Sequence, residues 1–305
     1  MFQDPGKPYD YLVIWDRPPG LVKRRCASEN TVHVGTEPNS IQRYDQQFVD
    51  QFARCLTIDP EISHPGAVYS QPGLTWHLGW KPRTDSSQCA LSWEQLRALF
   101  DEPRAKLISV IASDNTSTPE HKKRLAFANA LKVHFGDRLE LFGRGLRNMD
   151  DKLEALRGYR FHVALENSSY PHYFSEKLSD PLIGGCQPIY WGCPNVADYF
   201  PEEALILIDV DHIHQSINRI EKAIADDEDK RRQDARRVAR EMVFYEHNIF
   251  ALLTRHFDEM EALNQKIKPR AKTLLSMAGW ISPQPSQLLH RRVIRRLNRY
   301  IAHWA

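Results

Sequence analysis

An α/β protein built on parallel sheets is the fold class this sequence predicts, on three observations. Between Leu107 and Ile208, short apolar runs alternate with stretches of helical periodicity. Strands separated by helices imply a parallel sheet with helices on both faces. Polar residues gather where the runs end, and in such sheets the ligand sits outside the carboxyl ends of the strands. The length of 305 residues is comfortable for two domains of roughly 100–150 residues each.

From the N-terminus, Tyr11–Trp15 forms a strand and Asp16-Arg17-Pro18-Pro19-Gly20 a turn. Thr31–Val34 is a second strand. Phe48, Val49, Phe52 and Leu56 fall at helical spacing and predict a helix. The stretch from Pro60 to Thr84, rich in Pro, Gly and His, carries no periodicity and predicts a long loop. Trp93 to Phe100 is a short helix that Asp101-Glu102-Pro103 breaks, which puts a domain boundary at residue 102. Beyond it come strand Leu107–Ala112, helix Pro119–Val133, strand Leu139–Phe142 and a short helix over Asp150–Arg157. Strand Phe161–Leu165, helix Ser175–Ile183 and strands Pro188–Tyr190 and Leu205–Ile208 follow. Helical patterns from Ile213 to Phe257 close the region, which ends at residue 260.

Bulk properties narrow the function classes. Hydrophobic content of 42% and charged content of 26% are ordinary for a soluble globular protein. No run approaches the ~20 apolar residues that cross a bilayer, and the N-terminus lacks a charged-then-apolar signal layout. Five cysteines, odd in number and without a Cys-x-x-Cys pair, fit reduced thiols in a cytoplasmic protein. After Glu261 there are nine Lys or Arg and no acidic residue, so residues 1–261 carry −7 against a total of +2. That asymmetry argues against a uniformly basic nucleic-acid binder.

The densest chemistry lies between Tyr159 and Asp209. The strand ending at Leu165 runs into Glu166-Asn167-Ser168. Tyr173-Phe174-Ser175-Glu176-Lys177 then opens the next helix, and a second buried strand stops at Gly192. A cation beside the unpaired N–H groups of a helix start favours phosphate, which is the place of Lys177. Glu176 beside it can accept hydrogen bonds from ribose hydroxyls. The layout suits a nucleotide diphosphate held at the carboxyl edge of a parallel sheet.

It also resembles the donor-binding motif of family 10 glycosyltransferases, the α-1,3/4-fucosyltransferases. The resemblance is clear from Leu107 to Asp209 and weaker from Thr31 to Phe52. It implies a GT-B fold of two Rossmann-like domains facing a central cleft. Residues 1–102 would bind the acceptor, residues 103–260 would bind GDP-L-fucose, and residues 261–305 form a basic tail. Arg124, in Arg-x-x-Phe-x-x-Ala-Leu framing, falls where the family places a diphosphate-contacting arginine. Glu166 and Asn167 match the Glu-Asn of the family, with Leu165 replacing its Phe, and organise the donor loop. Tyr173 resembles the donor-contacting tyrosine. Glu37, in Gly-Thr-Glu-Pro, stands where the family has a Thr-Gly-Glu-Asn-like segment bearing the general base; the first two residues are reversed and Pro38 replaces Asn. The implied reaction is an inverting transfer of L-fucose to an oligosaccharide or lipid-linked glycan, with no metal or other cofactor required. Two other readings stay open: the same fold using another nucleotide sugar, and a non-catalytic carbohydrate-binding protein on this scaffold.

Other signals are weak. Asp209-Val210-Asp211 matches the metal-binding Asp-x-Asp of other sugar transferases, but so short a pattern arises readily by chance. The thirteen His residues show no zinc-ligand spacing. In the tail, Leu289, Val293, Leu297, Tyr300, Ile301 and Trp304 fall in one helical arc opposite Arg291, Arg292, Arg295, Arg296 and Arg299. Such a helix fits either an anionic membrane surface, making the protein peripheral at the inner membrane face, or packing on the protein with its arginines in water.

Overall fold

Two all-parallel sheets organise the chain in the computed structural model, which describes residues 8–18, 20, 22–80, 90–263 and 271–274. The first half contributes β1 (Leu12–Trp15), β2 (Val22–Arg25), β3 (Thr31–Val34), α1 (Gln46–Val49), β4 (Arg54–Thr57), β5 (Ala67–Tyr69) and α2 (Trp93–Ala98). The second half begins with β6 (Lys106–Ile111), α3 (Pro119–Phe135), β7 (Leu139–Phe142), β8 (Tyr159–Leu165), α4 (Glu176–Gly184) and β9 (Gln187–Trp191). It closes with β10 (Ile206–Leu207), α5 (Ile213–Ala225), α6 (Glu228–Arg231), α7 (Gln233–Met242), α8 (Ile249–Leu263) and β11 (Ala271–Leu274). The first sheet has strand order β1-β3-β4-β5 and the second β10-β9-β8-β6-β7. All their pairings are parallel, and β11 returns to pair antiparallel with β2.

Burial on both faces explains why the strands read as apolar runs. In the second sheet, Ile108, Val110, Phe161, Val163 and Ile189 pack against α3 and α5 through Phe127, Leu131 and Ile220. The opposite face meets α4 and α7 through Leu178, Leu182, Ala239 and Val243. In the first sheet, Leu12, Ile14 and Cys55 lie with Phe48, Val49 and Phe52 on one side. Val32, Val34 and Leu56 take the other side, where Leu252 and Met260 of α8 cover them. The chain therefore crosses back after α7, and Tyr11 Oη donates to the Phe257 carbonyl at 3.0 Å.

Helix boundaries follow local chemistry. Thr118 caps α3 by accepting from the His121 N–H at 3.2 Å, with Pro119 as the first helical residue. Ser175 caps α4, accepting from the Lys177 N–H at 3.3 Å. Ser92 and Gln95 form a reciprocal capping box at the start of α2.

Three sequence expectations need correction. The pattern Phe48–Leu56 is not one helix: α1 is a single turn, and Leu56 belongs to β4. Phe48, Val49 and Phe52 share a core cluster while Leu56 faces the other side of the sheet, so the helical spacing was a coincidence of two elements. The expected loop from Pro60 contains β5, which pairs with β4 as the edge strand. The short helix over Asp150–Arg157 is a 3₁₀ turn at Lys152–Ala155. The amphipathic pattern 289–304 lies outside the described residues.

The end of α4 constrains its own sequence. Gly185 has φ of 75° and a Cβ there would lie 2.8 Å from the Phe100 backbone, so left-handed geometry and close approach both demand glycine. Gly185→Ala is expected to lower unfolding free energy by about 2–5 kcal/mol, from strain plus overpacking. Urea unfolding of the purified variant measures this.

Candidate active site

The order of the second sheet places a topological switch point between β6 and β8. The chain leaves β6 toward β7 on one side and later returns to β8 on the other. A crevice opens there beyond the carboxyl ends of the strands. A cavity of about 330 Å³ occupies it. Its walls include Ile111 and Ala112 after β6, Gly143 and Arg144 after β7, His121 and Arg124 of α3, and Asn167, Glu176 and Lys177 around the start of α4. Four of the seven residues singled out from sequence, Arg124, Asn167, Glu176 and Lys177, thus share one wall.

Arg124 is only 7% exposed. It donates from Nη1 to Asn167 Oδ1 at 2.6 Å. Its Nε, also buried, has no partner. Burial pulls its pKa down, opposed by the field of Glu166, Tyr173 and Glu176. A buried guanidinium with a donor to spare favours an anion in the cavity.

Glu166 is fully buried and lies beneath that wall. Its oxygens accept the Ser175 N–H at 2.8 Å and the Ser175 hydroxyl at 2.7 Å, with Lys177 Nζ 3.7 Å away. Burial raises its pKa, against the opposing field of Lys177 and the Ser175 hydrogen bonds. With both oxygens occupied by Ser175, it holds the loop rather than facing the cavity. Gly192 makes room for it, since a Cβ there would stand 2.4 Å from Glu166 Cγ.

Glu176 sits in a charge cluster that sequence reading missed. Lys152 Nζ lies 3.1 Å from Glu176 and 3.0 Å from Asp180, and Lys177 Nζ lies 3.4 Å from Glu176. The backbone N–H of His77 donates to Asp180 at 2.8 Å. Burial pushes the Glu176 pKa up, but Lys177 and Lys152 outweigh it and hold the carboxyl well below its usual range. Asp180 shifts the other way, raised by burial against Lys152. One signal was available: Glu176 and Asp180 stand four apart, on one face of a helix, and a buried like-charge pair requires a cation. Nothing local marked Lys152 as that cation.

Tyr173 and Glu37 meet across the two halves. Tyr173, 1% exposed, donates its hydroxyl to Glu37 Oε2 at 2.9 Å. Burial raises the Glu37 pKa; Tyr173 and Lys177 oppose the rise, while Glu166 and Glu176 add to it. Behind Glu37, Tyr44 accepts from the Thr36 N–H at 3.0 Å and donates to Asp16 Oδ1 at 2.8 Å. Asp209 and Asp211 lie apart from this cluster. Asp209 accepts the Asp211 N–H at 2.9 Å, and Asp211 pairs with Lys123 at 2.9 Å.

A parallel sheet with a cationic cavity at its switch point is the arrangement of a nucleotide-binding α/β domain. Residues 102–232 match the model of glycosyltransferase family 10 (fucosyltransferase), C-terminal part. The chain is 45% identical over 49 residues to alpha-(1,3)-fucosyltransferase B of Drosophila melanogaster, covering 16% of this chain and 11% of that protein. It is 34% identical over 74 residues to alpha-(1,3)-fucosyltransferase FucT of Helicobacter pylori, covering 24% and 16%. The aligned segments thus span less than a fifth of these relatives. A solved α1,3-fucosyltransferase with GDP-fucose superposes with TM-score 0.48 at 19% identity, over 76% of this chain and 70% of that one.

Lys152 neutralises two carboxylates that water hardly reaches. Lys152→Met is expected to cost about 3–5 kcal/mol of stability at neutral pH, the cost of breaking a buried pair from one side. Denaturant unfolding at pH 7 checks this, and the loss should shrink as acid protonates Asp180.

Proposed function

We propose that the chain is an inverting glycosyltransferase that moves L-fucose from GDP-L-fucose to a hydroxyl of an oligosaccharide or glycoconjugate. The observation that carries this reading is the buried, partly unpaired Arg124, which lines a cavity at the sheet switch point together with Lys177. In this scheme residues 103–260 hold the donor and residues 1–102 present the acceptor. Arg124 and Lys177 bind the diphosphate and stabilise the charge that grows on it as the bond to the anomeric carbon breaks. The acceptor oxygen bonds that carbon from the opposite face, the electron pair of the broken bond leaves with GDP, and Glu37 takes the hydroxyl proton. Glu176 meets the ribose hydroxyls, and Tyr173 orients Glu37 from the donor side.

The location belongs to the same proposal. No helix among the described residues is long and apolar enough to cross a membrane. The basic tail pattern supports a peripheral enzyme at the anionic cytoplasmic membrane surface acting on lipid-linked glycans. Cys55, Cys186 and Cys193 are buried free thiols, in keeping with a reducing compartment.

Arg124→Ala and Lys177→Ala are each expected to weaken GDP binding by ~1.5–3 kcal/mol, the range for charge-assisted hydrogen bonds. Calorimetric titration with GDP measures it, and unchanged affinity in both folded variants removes the donor-site assignment.

Glu37→Gln should bind GDP normally and transfer sugar ~10²–10⁴ more slowly, the usual loss for a general base. Because burial raises the Glu37 pKa, the acid limb of kcat/KM should lie above the range of a solvated carboxylate. Activity falls as pH drops through that raised value. Near-normal transfer by Glu37→Gln moves the search to Asp16 and Glu61.

A further inference from the structure

The floor of the cavity holds a histidine that the proposed mechanism does not use. His162 lies on β8, is 3% exposed, and lines the cavity with Lys152, Leu156, Asp180 and Pro181. Its strand partner across the ladder is Ser109 of β6. Ser109 Oγ stands 2.5 Å from the Ala155 carbonyl oxygen and 2.8 Å from His162 Nδ1.

One tautomer satisfies both contacts. Two oxygens at the first separation tolerate each other only with a proton between them, so the serine hydroxyl donates to the carbonyl. It then turns a lone pair to Nδ1, which must carry the imidazole proton. Nε2 is left bare, as an acceptor. Burial, with Lys152 adding, lowers the His162 pKa to about 3, so the ring stays neutral. The same cavity is lined by a second acceptor group, Asp180, whose oxygens receive the His77 N–H and Lys152. A carboxylate oxygen has a second lone pair, so these contacts leave it able to accept again.

We infer that His162, with Asp180, recognises the nucleobase of the donor by accepting from the adjacent N1–H and N2–H₂ of guanine. Two acceptors lining one cavity suit a base edge that carries two donors. Adenine turns a ring acceptor beside its amino group, which sets a lone pair against a lone pair. Such mismatches discriminate strongly because the buried group loses its partner. This inference rests on the nucleotide-diphosphate reading above and assigns the base specificity of that same site to this chain's own residues.

The test is calorimetric titration of full-length protein, His162→Leu and His162→Gln with GDP, ADP and pyrophosphate. Wild type is expected to prefer GDP to ADP. His162→Leu should lose about tenfold in GDP affinity, the worth of one buried hydrogen bond, with pyrophosphate affinity unchanged. His162→Gln, whose amide oxygen can accept, should recover part of the loss. In wild type, the ¹⁵N resonance of the bare Nε2 should move on adding GDP and stay put on adding pyrophosphate. A GDP-to-ADP ratio unchanged in His162→Leu, or an Nε2 resonance indifferent to GDP, overturns the inference while GDP binding itself keeps the donor reading. Wild-type protein that binds neither nucleotide nor pyrophosphate overturns both.

Discussion

The second half of the chain depends on a carboxylate that water does not reach. Glu166 ends β8 with no exposed surface, and an unsatisfied charge there would cost far more than the domain can spare. Ser175 satisfies it with both its N–H and its hydroxyl. Because Ser175 is also the N-cap of α4, the end of a strand and the start of a helix are joined through one side chain. That joint decides where Glu176 and Lys177 emerge, and Gly192 on the neighbouring strand leaves the space for it. A chain that moved Glu166, Ser175 or Gly192 would lose the geometry of Glu176 and Lys177.

The parts of this architecture that were legible in sequence are the parts governed by local chemistry. The alternation in the second half was visible because parallel strands buried on both faces read as continuous apolar runs, and Pro119, Ser175 and Gly185 mark helix ends within a few residues. The first half hid its structure for physical reasons. One turn of α1 and a strand four residues later gave apolar residues at helical spacing although Leu56 faces away from Phe52. β5 is a three-residue edge strand, only partly buried, too short to show a period of two. The placement of α8 on the first sheet is a tertiary event that no window of sequence records.

The candidate site divides along the same line. Tyr173, Glu176 and Lys177 were found because they sit within five residues at a helix start. Lys152 and His162 were not, since each acquires its chemistry from partners in other elements. Lys152 is an ordinary lysine until it faces Glu176 and Asp180, and His162 an ordinary strand residue until Ser109 fixes its proton.

Counting charges around the cavity shows what the empty-handed cation is for. Lys152 is committed to Glu176 and Asp180, and Lys177 stands between Glu176 and Glu166. Arg124 makes no ion pair among the described residues; its one hydrogen bond is to the neutral amide of Asn167. A diphosphate is held best by a cation that is not already committed to a carboxylate. Burial makes that cation costly to keep in the absence of an anion. A diphosphate that compensated it, as proposed above, would also come within the field of Glu37, which the Tyr173 hydrogen bond ties to the second half of the chain. In the proposed reaction, a bound diphosphate would add negative charge within reach of Glu37 and strengthen its pull on a proton. Lys177, whose field already lowers the Glu37 pKa, limits how far that strengthening goes. On the proposed reading, donor occupancy and the strength of Glu37 as a base would be coupled through charge alone, with no movement of the backbone required.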